Sequence, residues 1–322
     1  MWLQLEMPLL VIYNPPTLFS IPVHLCQHYR RWTTPDWDGW VDSDLFEMLP
    51  ECVREDPEKI VGLPDSSVVR DTRNLLSRVS VGEADVWLKG FRAAHAVDAA
   101  VYAFRAGKCV QSWNKSFALI ACGFDVPKPL LGLRRRGVGQ GAVGLFGSQH
   151  VQSTPLRSFL SEGHPDEDMM PLMRQLGVFV ARLHDHGFRH RDLRRGNVLV
   201  QKCSDDSYRF FLVDVNRLQR YESLNWIQRI RELERLFLVG PEAEWFFEGY
   251  GADQSIGQAV IDYHRRVRYA EALENRRLGR LRKKLWYYFW ELRAYPPGVR
   301  GSRPLSTWLD GVYSSRGTNV LR

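Results

Sequence analysis

The residues best suited to chemistry lie in one octapeptide, His190-Arg191-Asp192-Leu193-Arg194-Arg195-Gly196-Asn197. It matches the pattern H-R-D-L-x-x-x-N at every fixed position. In that pattern the carboxylate of Asp192 meets an attacking hydroxyl and accepts its proton, while Asn197 reaches a metal ion that bridges phosphate groups. Four fixed residue types at set spacing in one short loop therefore predict phosphoryl transfer to a hydroxyl group.

Two further residues extend this set. Asp214 ends the apolar run Phe-Phe-Leu-Val-Asp, which is where a second metal ligand is expected. Lys89 ends Val-Trp-Leu-Lys, a strand pattern that turns the lysine toward the α and β phosphates of a nucleotide. In this order and spacing, Lys89, Asp192, Asn197 and Asp214 predict a complete site for ATP and Mg²⁺.

Neighbouring residues have less specific readings. Arg194 lies two residues after Asp192 and is a candidate for contact with the transferring phosphate, although a solvent-facing arginine fits equally well. His190 is interpreted as a packing residue of the loop, because this chemistry assigns the base to the aspartate. The catalytic prediction therefore names Asp192 and Arg194.

The elements that position these residues change in character along the chain. Short alternating runs predict strands in the first half, and helical spacing predicts helices in the second half around one polar-flanked hairpin. Strands are predicted at 68–70, 75–81, 85–92, 130–135 and 142–149, helices at 93–122 (broken near Gly107), 155–160 and 171–186, and the hairpin at 197–201 and 209–213. Residues 33–64 are rich in Pro, Asp and Trp without a sustained period.

This pattern predicts an α+β fold of two lobes, with an antiparallel-sheet N-lobe and a mainly helical C-lobe. The predicted regions are an irregular N-terminal lead-in at 1–64, the N-lobe at 65–151, and the C-lobe with a basic and aromatic C-terminal part at 152–322.

Composition narrows the environment. A net charge of +7 over 322 residues indicates an anionic partner, whether nucleic acid, an acidic membrane surface or a phosphorylated substrate. The five cysteines lack metal-ligand spacing, so neither a zinc site nor a disulfide framework is predicted. The sequence contains no run of about 18 or more uncharged apolar residues, so no membrane-spanning helix is predicted.

A basic and aromatic region occupies residues 265–290, where nine arginines and lysines precede Trp-Tyr-Tyr-Phe-Trp. Such a region suits the headgroup zone of an anionic membrane. A solvated helix whose aromatics belong to the core fits as well, because Glu271 and Glu274 interrupt the charge. No nucleic acid is expected, since no nucleic-acid-binding motif accompanies the basic run.

The chain resembles the lipopolysaccharide kinase family from about Leu75 to Leu238. The residues that carry the resemblance are Trp87-Leu88-Lys89, Gly123 to Pro129, the loop His190 to Asn197, Val213 to Arg217 and Arg231 to Leu236. The resemblance implies a protein-kinase-like form of the two-lobed fold, and ATP-dependent phosphorylation of a Kdo or heptose hydroxyl on a membrane-embedded glycolipid. It also implies a cytoplasmic protein, at or near the inner face of the inner membrane of a Gram-negative bacterium.

Departures from the kinase pattern keep two alternatives open. Val215-Asn216 replaces Phe-Gly after Asp214, no G-x-G-x-x-G is present, and residues 111–114 lack the glutamate that usually pairs with the strand lysine. These absences suit a nucleotide-binding pseudokinase that serves as a partner-binding module. The second alternative is a small-metabolite phosphotransferase of the same fold, which usually carries glycine in place of Arg191.

Overall fold

The computed structural model describes residues 19–72, 74–92, 107–136, 142–162, 166–238 and 240–251. The chain divides into two compact units. The first contains residues 1–152 together with 212–216, and the second contains 153–211 and 217–322. The division into three regions drawn from the sequence stays a prediction.

In the first unit, seven strands of the described residues form one antiparallel sheet in the order β1-β2-β6-β7-β5-β4-β3. The strands are β1 (Tyr29–Thr33), β2 (Trp37–Asp42), β3 (Ser66–Asp71), β4 (Asn74–Val81), β5 (Ala84–Arg92), β6 (Pro129–Arg135) and β7 (Ala142–Gln149). All five strands predicted in this half are confirmed, to within two residues at most ends.

Alternation along β5 explains why its lysine is available for chemistry. Val86, Leu88 and Gly90 are buried against the sheet's core, and the intervening Lys89 is only half-buried because its side chain points to the opposite face. The β4–β5 turn uses Gly82 at φ +57°, a left-handed backbone that glycine adopts at little steric cost. A hairpin with fixed register thus presents Lys89.

The prediction of an irregular lead-in is wrong for residues 29–62. Here β1 and β2 pair with each other and β2 pairs with β6, followed by α1 (Ser43–Met48), α2 (Glu51–Glu55) and a 3-10 helix (Pro57–Gly62). Strand β2 is buried on both faces, so it lacks the alternation by which a strand is recognised. Buried Trp32, Trp37 and Val41 join it to the core of the sheet.

A helix of the first unit, α3 (Lys108–Ala121), packs against β6 and β7. Its buried face includes Val110, Trp113, Phe117 and Leu119. It ends before Gly123, which has φ +73°, as expected for a glycine after a helix C-terminus. The predicted stretch at 93–106 lies outside the described residues.

The second unit is mainly helical in its described part. Its helices are α4 (Leu156–Ser161), α5 (Asp166–Asp185), α6 (Trp226–Leu233) and α7 (Pro241–Tyr250), and its short strands are β8 (Thr154–Pro155), β9 (Phe188–Arg189), β10 (Val198–Lys202), β11 (Tyr208–Leu212) and β12 (Gln219–Arg220). The predicted α+β class and the β10–β11 hairpin are confirmed. Among the described helices, none is both long and apolar enough to cross a bilayer.

Helices α5 and α7 touch through two glycines. A methyl group added at Gly177 would lie 2.1 Å from the carbonyl oxygen of Phe246, and one added at Gly249 would lie 1.9 Å from that of Arg174. The two backbones therefore approach more closely than any residue with a Cβ would permit.

We expect Gly177→Ala to lower the free energy of unfolding by about 2 kcal/mol or more, because the helices must separate to admit the methyl group. Gly62→Ala is the control: nothing lies within 4 Å of its added methyl, and the change should stay within about 0.5 kcal/mol. Urea denaturation of both variants measures the difference. Equal midpoints would show that the α5–α7 contact yields without cost.

A buried histidine also connects α5 to α7. Nδ1 of His184 lies 2.7 Å from the Tyr250 hydroxyl, which in turn lies 3.3 Å from Nη1 of Arg229. Burial lowers the pKa of His184 to about 3, and the charges of Arg229 and Arg189 act in the same direction. The imidazole is therefore neutral in the folded protein.

The depressed pKa gives stability a defined pH dependence. Above its unfolded pKa of about 6.5, His184 contributes fully to the free energy of unfolding. This contribution is lost as the pH falls toward the folded pKa of about 3. The reason is that in this range only the unfolded chain takes up the proton. The slope should approach about 1.4 kcal/mol per pH unit. We expect His184→Gln to flatten this dependence in urea titrations at pH 7 to 4. A matching change at exposed His186 should leave the slope unaltered.

Candidate active site

The predicted catalytic loop lies in the second unit, between β9 and β10. The chain enters it from the end of α5 through Gly187, whose φ of +75° makes the turn, as is common for glycine after a helix C-terminus. Inside the loop, the amide of Asn197 donates through Nδ2 to the backbone carbonyl of Asp192 at 2.8 Å, and its N–H donates to the carbonyl of Arg194, also at 2.8 Å. Asp192 and Asn197 are therefore held by one tight loop.

The carboxylate of Asp192 has charged neighbours and, in the described part of the chain, one oxygen without a hydrogen bond. Nε of Arg194 lies 2.9 Å from Oδ1 of Asp192, and Nη1 of Arg235 lies 3.6 Å from the same atom. Neither contact is a hydrogen bond, so the buried Oδ1 has ion-pair partners but no hydrogen-bond donor among the described residues. A carboxylate oxygen in that condition gains a partner when a hydroxyl group approaches.

Glu232 in α6 holds the backbone of this loop, and sequence reasoning did not assign it a role. Its Oε2 accepts from the N–H of His190 at 2.6 Å and its Oε1 from the N–H of Arg191 at 2.7 Å. The side chain is fully buried. Burial raises the pKa of Glu232, while the charge of Arg189 and the two backbone N–H groups act in the opposite direction.

Arg235 holds the same loop from its carbonyl side. Its Nη1 donates to the backbone oxygen of Arg191 at 2.8 Å. Arg191 has φ +64°, a left-handed backbone that is costly for a residue with a side chain. Glu232 on the N–H group and Arg235 on the carbonyl together fix that residue and so determine where the following Asp192 points.

The other two predicted residues meet in the first unit. Nζ of Lys89 lies 2.8 Å from Oδ1 of Asp214, and the two side chains are 23% and 35% exposed. In the described part of the chain, the carboxylate that pairs with the strand lysine is thus Asp214 itself. The helix glutamate that kinases use for this purpose has no counterpart at residues 111–114, as the sequence indicated.

The backbone at Asp214 is left-handed. Asp214 has φ +56°, and its Oδ1 also accepts from Nδ2 of Asn216 at 2.7 Å. At the start of the segment, the N–H of Leu212 donates to the carbonyl oxygen of Asp125 at 3.2 Å. Asp125 belongs to the Gly123–Pro129 stretch that was important for the family resemblance, and it anchors this segment.

The available donor atoms suit a hard cation. Oδ1 of Asn197 and Oδ2 of Asp214 accept no hydrogen bond from the described residues, and oxygen atoms of this kind are the ligands that Mg²⁺ prefers. No group of three or more His, Cys, Asp or Glu side chains that could hold a metal occurs in the described ranges. Each of these oxygens, taken by itself, is of the kind that ligates Mg²⁺ together with phosphates and water.

The predicted basic and aromatic region at 265–290 lies outside the described residues. In the turn between β3 and β4, Asp71 forms an ion pair with Arg92 of β5.

We expect Glu232→Ala to cost about 2–4 kcal/mol of unfolding free energy, because two buried backbone N–H groups lose their acceptor. Glu232→Gln keeps one acceptor oxygen and should fall between wild type and Ala. Urea denaturation and amide exchange of the catalytic loop measure both effects. Ala at exposed Glu222 is the control. If Glu232→Ala unfolded at the wild-type urea concentration, the loop would not depend on this residue.

Three solved structures are similar to this chain at 15–18% sequence identity. The chain is similar to WaaP in complex with acyl carrier protein, at 17% identity over 66% of this chain and 91% of that one, with a TM-score of 0.46. It is similar to a Rio2 kinase–ADP/Mg²⁺–phosphoaspartate complex from Chaetomium thermophilum, at 15% identity, 76% and 84% coverage and a TM-score of 0.41. It is also similar to WbdD, at 18% identity, 62% and 45% coverage and a TM-score of 0.40.

No curated protein matches the sequence. The family model of the lipopolysaccharide kinase (Kdo/WaaP) family matches residues 70–246, which is more than half of the 322 residues. That range contains Lys89, the catalytic loop, Asp214 and Glu232. The chain therefore belongs to the lipopolysaccharide kinase (Kdo/WaaP) family and is a phosphotransferase.

Proposed function

We propose that this protein is an ATP-dependent kinase that phosphorylates a Kdo or heptose hydroxyl of the lipopolysaccharide inner core or a related glycolipid. Family membership supports the reaction class. The observation that carries the proposal is the state of Asp192: its loop is fixed on two sides by Glu232 and Arg235, and its buried Oδ1 has no hydrogen-bond donor among the residues that the structure describes.

In this proposal Asp192 is the general base. It orients the acceptor hydroxyl and takes its proton as the hydroxyl oxygen bonds to the γ-phosphorus and the bond to the β-phosphate oxygen breaks. Arg194, whose side chain is 60% exposed beside Asp192, is proposed to contact the transferring phosphoryl group. Its guanidinium would offset the negative charge that spreads over the equatorial oxygens.

The nucleotide and metal are assigned to the remaining residues. Asn197 and Asp214 are proposed to ligate Mg²⁺ through their oxygen atoms, and Lys89 to contact the α and β phosphates of ATP. When bound, Mg²⁺ would neutralise part of the charge on the phosphates of ATP, the donor of the phosphoryl group. Lys89 and Asp214 form an ion pair with each other. In the proposal, binding of ATP and Mg²⁺ would give Lys89 the phosphates and Asp214 the metal ion as partners.

The acceptor and location follow from charge and family. The net charge of +7 complements a glycolipid core rich in phosphate and carboxylate groups. We propose a cytoplasmic protein that works at the inner face of the inner membrane of a Gram-negative bacterium. Residues 265–290 are the proposed contact with anionic lipid.

The test is phosphate transfer from labelled ATP to purified inner-core lipopolysaccharide. We expect Asp192→Asn to lower kcat by about 10²–10⁴-fold, because the base is lost. The matched control is Asp206→Asn, an aspartate with φ +58° and an 89% exposed side chain in the β10–β11 turn. It should stay within about twofold of wild type.

Two outcomes would redirect the proposal. If wild type and Asp192→Asn were equally inert while ATP still bound, the protein would be a nucleotide-binding module. If wild type phosphorylated only small metabolites, it would be a metabolite phosphotransferase of the same fold. Mass spectrometry of lipopolysaccharide cores from cells with and without the gene identifies the acceptor, because a kinase of this kind leaves a phosphate-sized mass difference.

A further inference from the structure

Helix α3 is bonded to the segment that carries Asp214. Nζ of Lys115 donates to the backbone carbonyl oxygen of Asn216 at 2.5 Å and to Oε1 of Gln111, one helical turn earlier, at 3.1 Å. A hydrogen bond from an ammonium group to a carbonyl is stronger than one between neutral groups. Residues 212–216 are thus fixed at both ends, by Asp125 at Leu212 and by Lys115 at Asn216.

This bond occurs in the helix where a kinase usually keeps a glutamate for the strand lysine. Here Lys89 takes Asp214 as its partner, and the helix contributes a cation that holds the backbone two residues after Asp214. The helix and the proposed metal ligand are therefore connected directly, without passing through Lys89.

The same helix is bonded on another side to residues 19–28, which we name the N-terminal strap. The N–H of Ser20 donates to Oδ1 of Asn114 at 2.8 Å, and Nε1 of Trp113 donates to the carbonyl oxygen of Ser20 at 3.1 Å. These two bonds hold one strap residue to two successive positions of α3, directly before Lys115.

Apolar packing strengthens this attachment. The ring of Phe19 meets that of Trp113 edge-on, with centroids 6.0 Å apart. Ile21 and Leu25 pack on the same buried aromatic cluster, which Tyr29 and Phe117 complete. The strap thus supplies apolar area that α3 would otherwise expose.

We propose that Lys115 is a positioning residue for the phosphotransfer reaction: it sets the backbone of residues 212–216 and with it the Asp214 carboxylate, and the N-terminal strap keeps α3 in the place from which Lys115 does so. The proposal rests on the proposed function, because it takes Asp214 as a metal ligand. It assigns a supporting role in the reaction to the N-terminal strap, which precedes Lys89 in the chain.

The first test compares Lys115→Met, which keeps the apolar stem but removes the donor, with Lys115→Arg, which keeps the charge and donors. We expect Lys115→Met to raise the Mg²⁺ concentration for half-maximal phosphate transfer by about tenfold. Amide exchange of a peptide covering residues 212–216 should quicken by a similar factor. Lys115→Arg should stay within about threefold of wild type in both measurements.

The second test changes the strap without touching α3. Ser20→Pro removes the N–H that Asn114 accepts, whereas Ser20→Ala keeps it. We expect Ser20→Pro to quicken amide exchange in α3 and to shift the Mg²⁺ dependence in the same direction as Lys115→Met, by about two- to fivefold. Ser20→Ala should match wild type in both.

Asp214→Asn, measured in parallel, separates the two proposals. If wild type transferred no phosphate, or Asp214→Asn transferred it normally, the proposed function or its metal assignment would fail. If wild type were active, Asp214→Asn inactive and Lys115→Met unchanged in Mg²⁺ dependence and in exchange at 212–216, the positioning role would be overturned. A fall in melting temperature without either change would mark Lys115 as merely structural. Exchange at 212–216 reports on this link even in a protein that transfers no phosphate.

Discussion

The second unit depends on a buried negative charge, the carboxylate of Glu232. Both its oxygens accept backbone N–H groups of the loop that precedes Asp192, and Arg189 lies near enough to offset its charge. Burying a carboxylate is costly unless its hydrogen-bonding capacity is filled. Here the loop fills it, so the loop conformation and the buried Glu232 side chain require each other. Asp192 acquires its orientation as a consequence.

In the first unit the corresponding constraint is electrostatic. Lys89 and Asp214 neutralise one another across 2.8 Å on side chains that are about a quarter and a third exposed. Water screens such a pair, so it adds little to folding stability. Its effect is on the site, since it keeps both groups extended toward the same point. Asn216 adds a neutral donor to the same oxygen of Asp214 and limits its rotation.

Sequence reasoning identified those elements whose signals are local. Alternation in β4, β5 and β7 and glycines at turns such as Gly82 were sufficient, because each residue's neighbours reveal its face. Strand β2 was not predicted, because it is buried on both faces and therefore shows no alternation of apolar and polar residues. Helix α5 begins at Asp166 and not at Pro171, since a proline near a helix start removes only one intrahelical bond.

The site was identified in the same uneven way. The octapeptide and Asp214 were visible because their spacing is short and fixed. Glu232 lies about forty residues from the backbone groups it binds, and no local pattern connects them. The role of Lys115 was not predicted either. Its acceptor is a backbone carbonyl, which every residue type has, so the sequence does not show which one the lysine binds.

The left-handed backbones of Arg191 and Asp214 have an evolutionary consequence. Each costs roughly 1 kcal/mol relative to an ordinary conformation, a strain that glycine would relieve. Glycine in place of Asp214 would also remove the carboxylate, and glycine at either position would give the backbone more conformational freedom. Selection for thermostability alone would thus favour changes that erode the site, so stabilised variants of this enzyme are best sought in surfaces remote from these two turns.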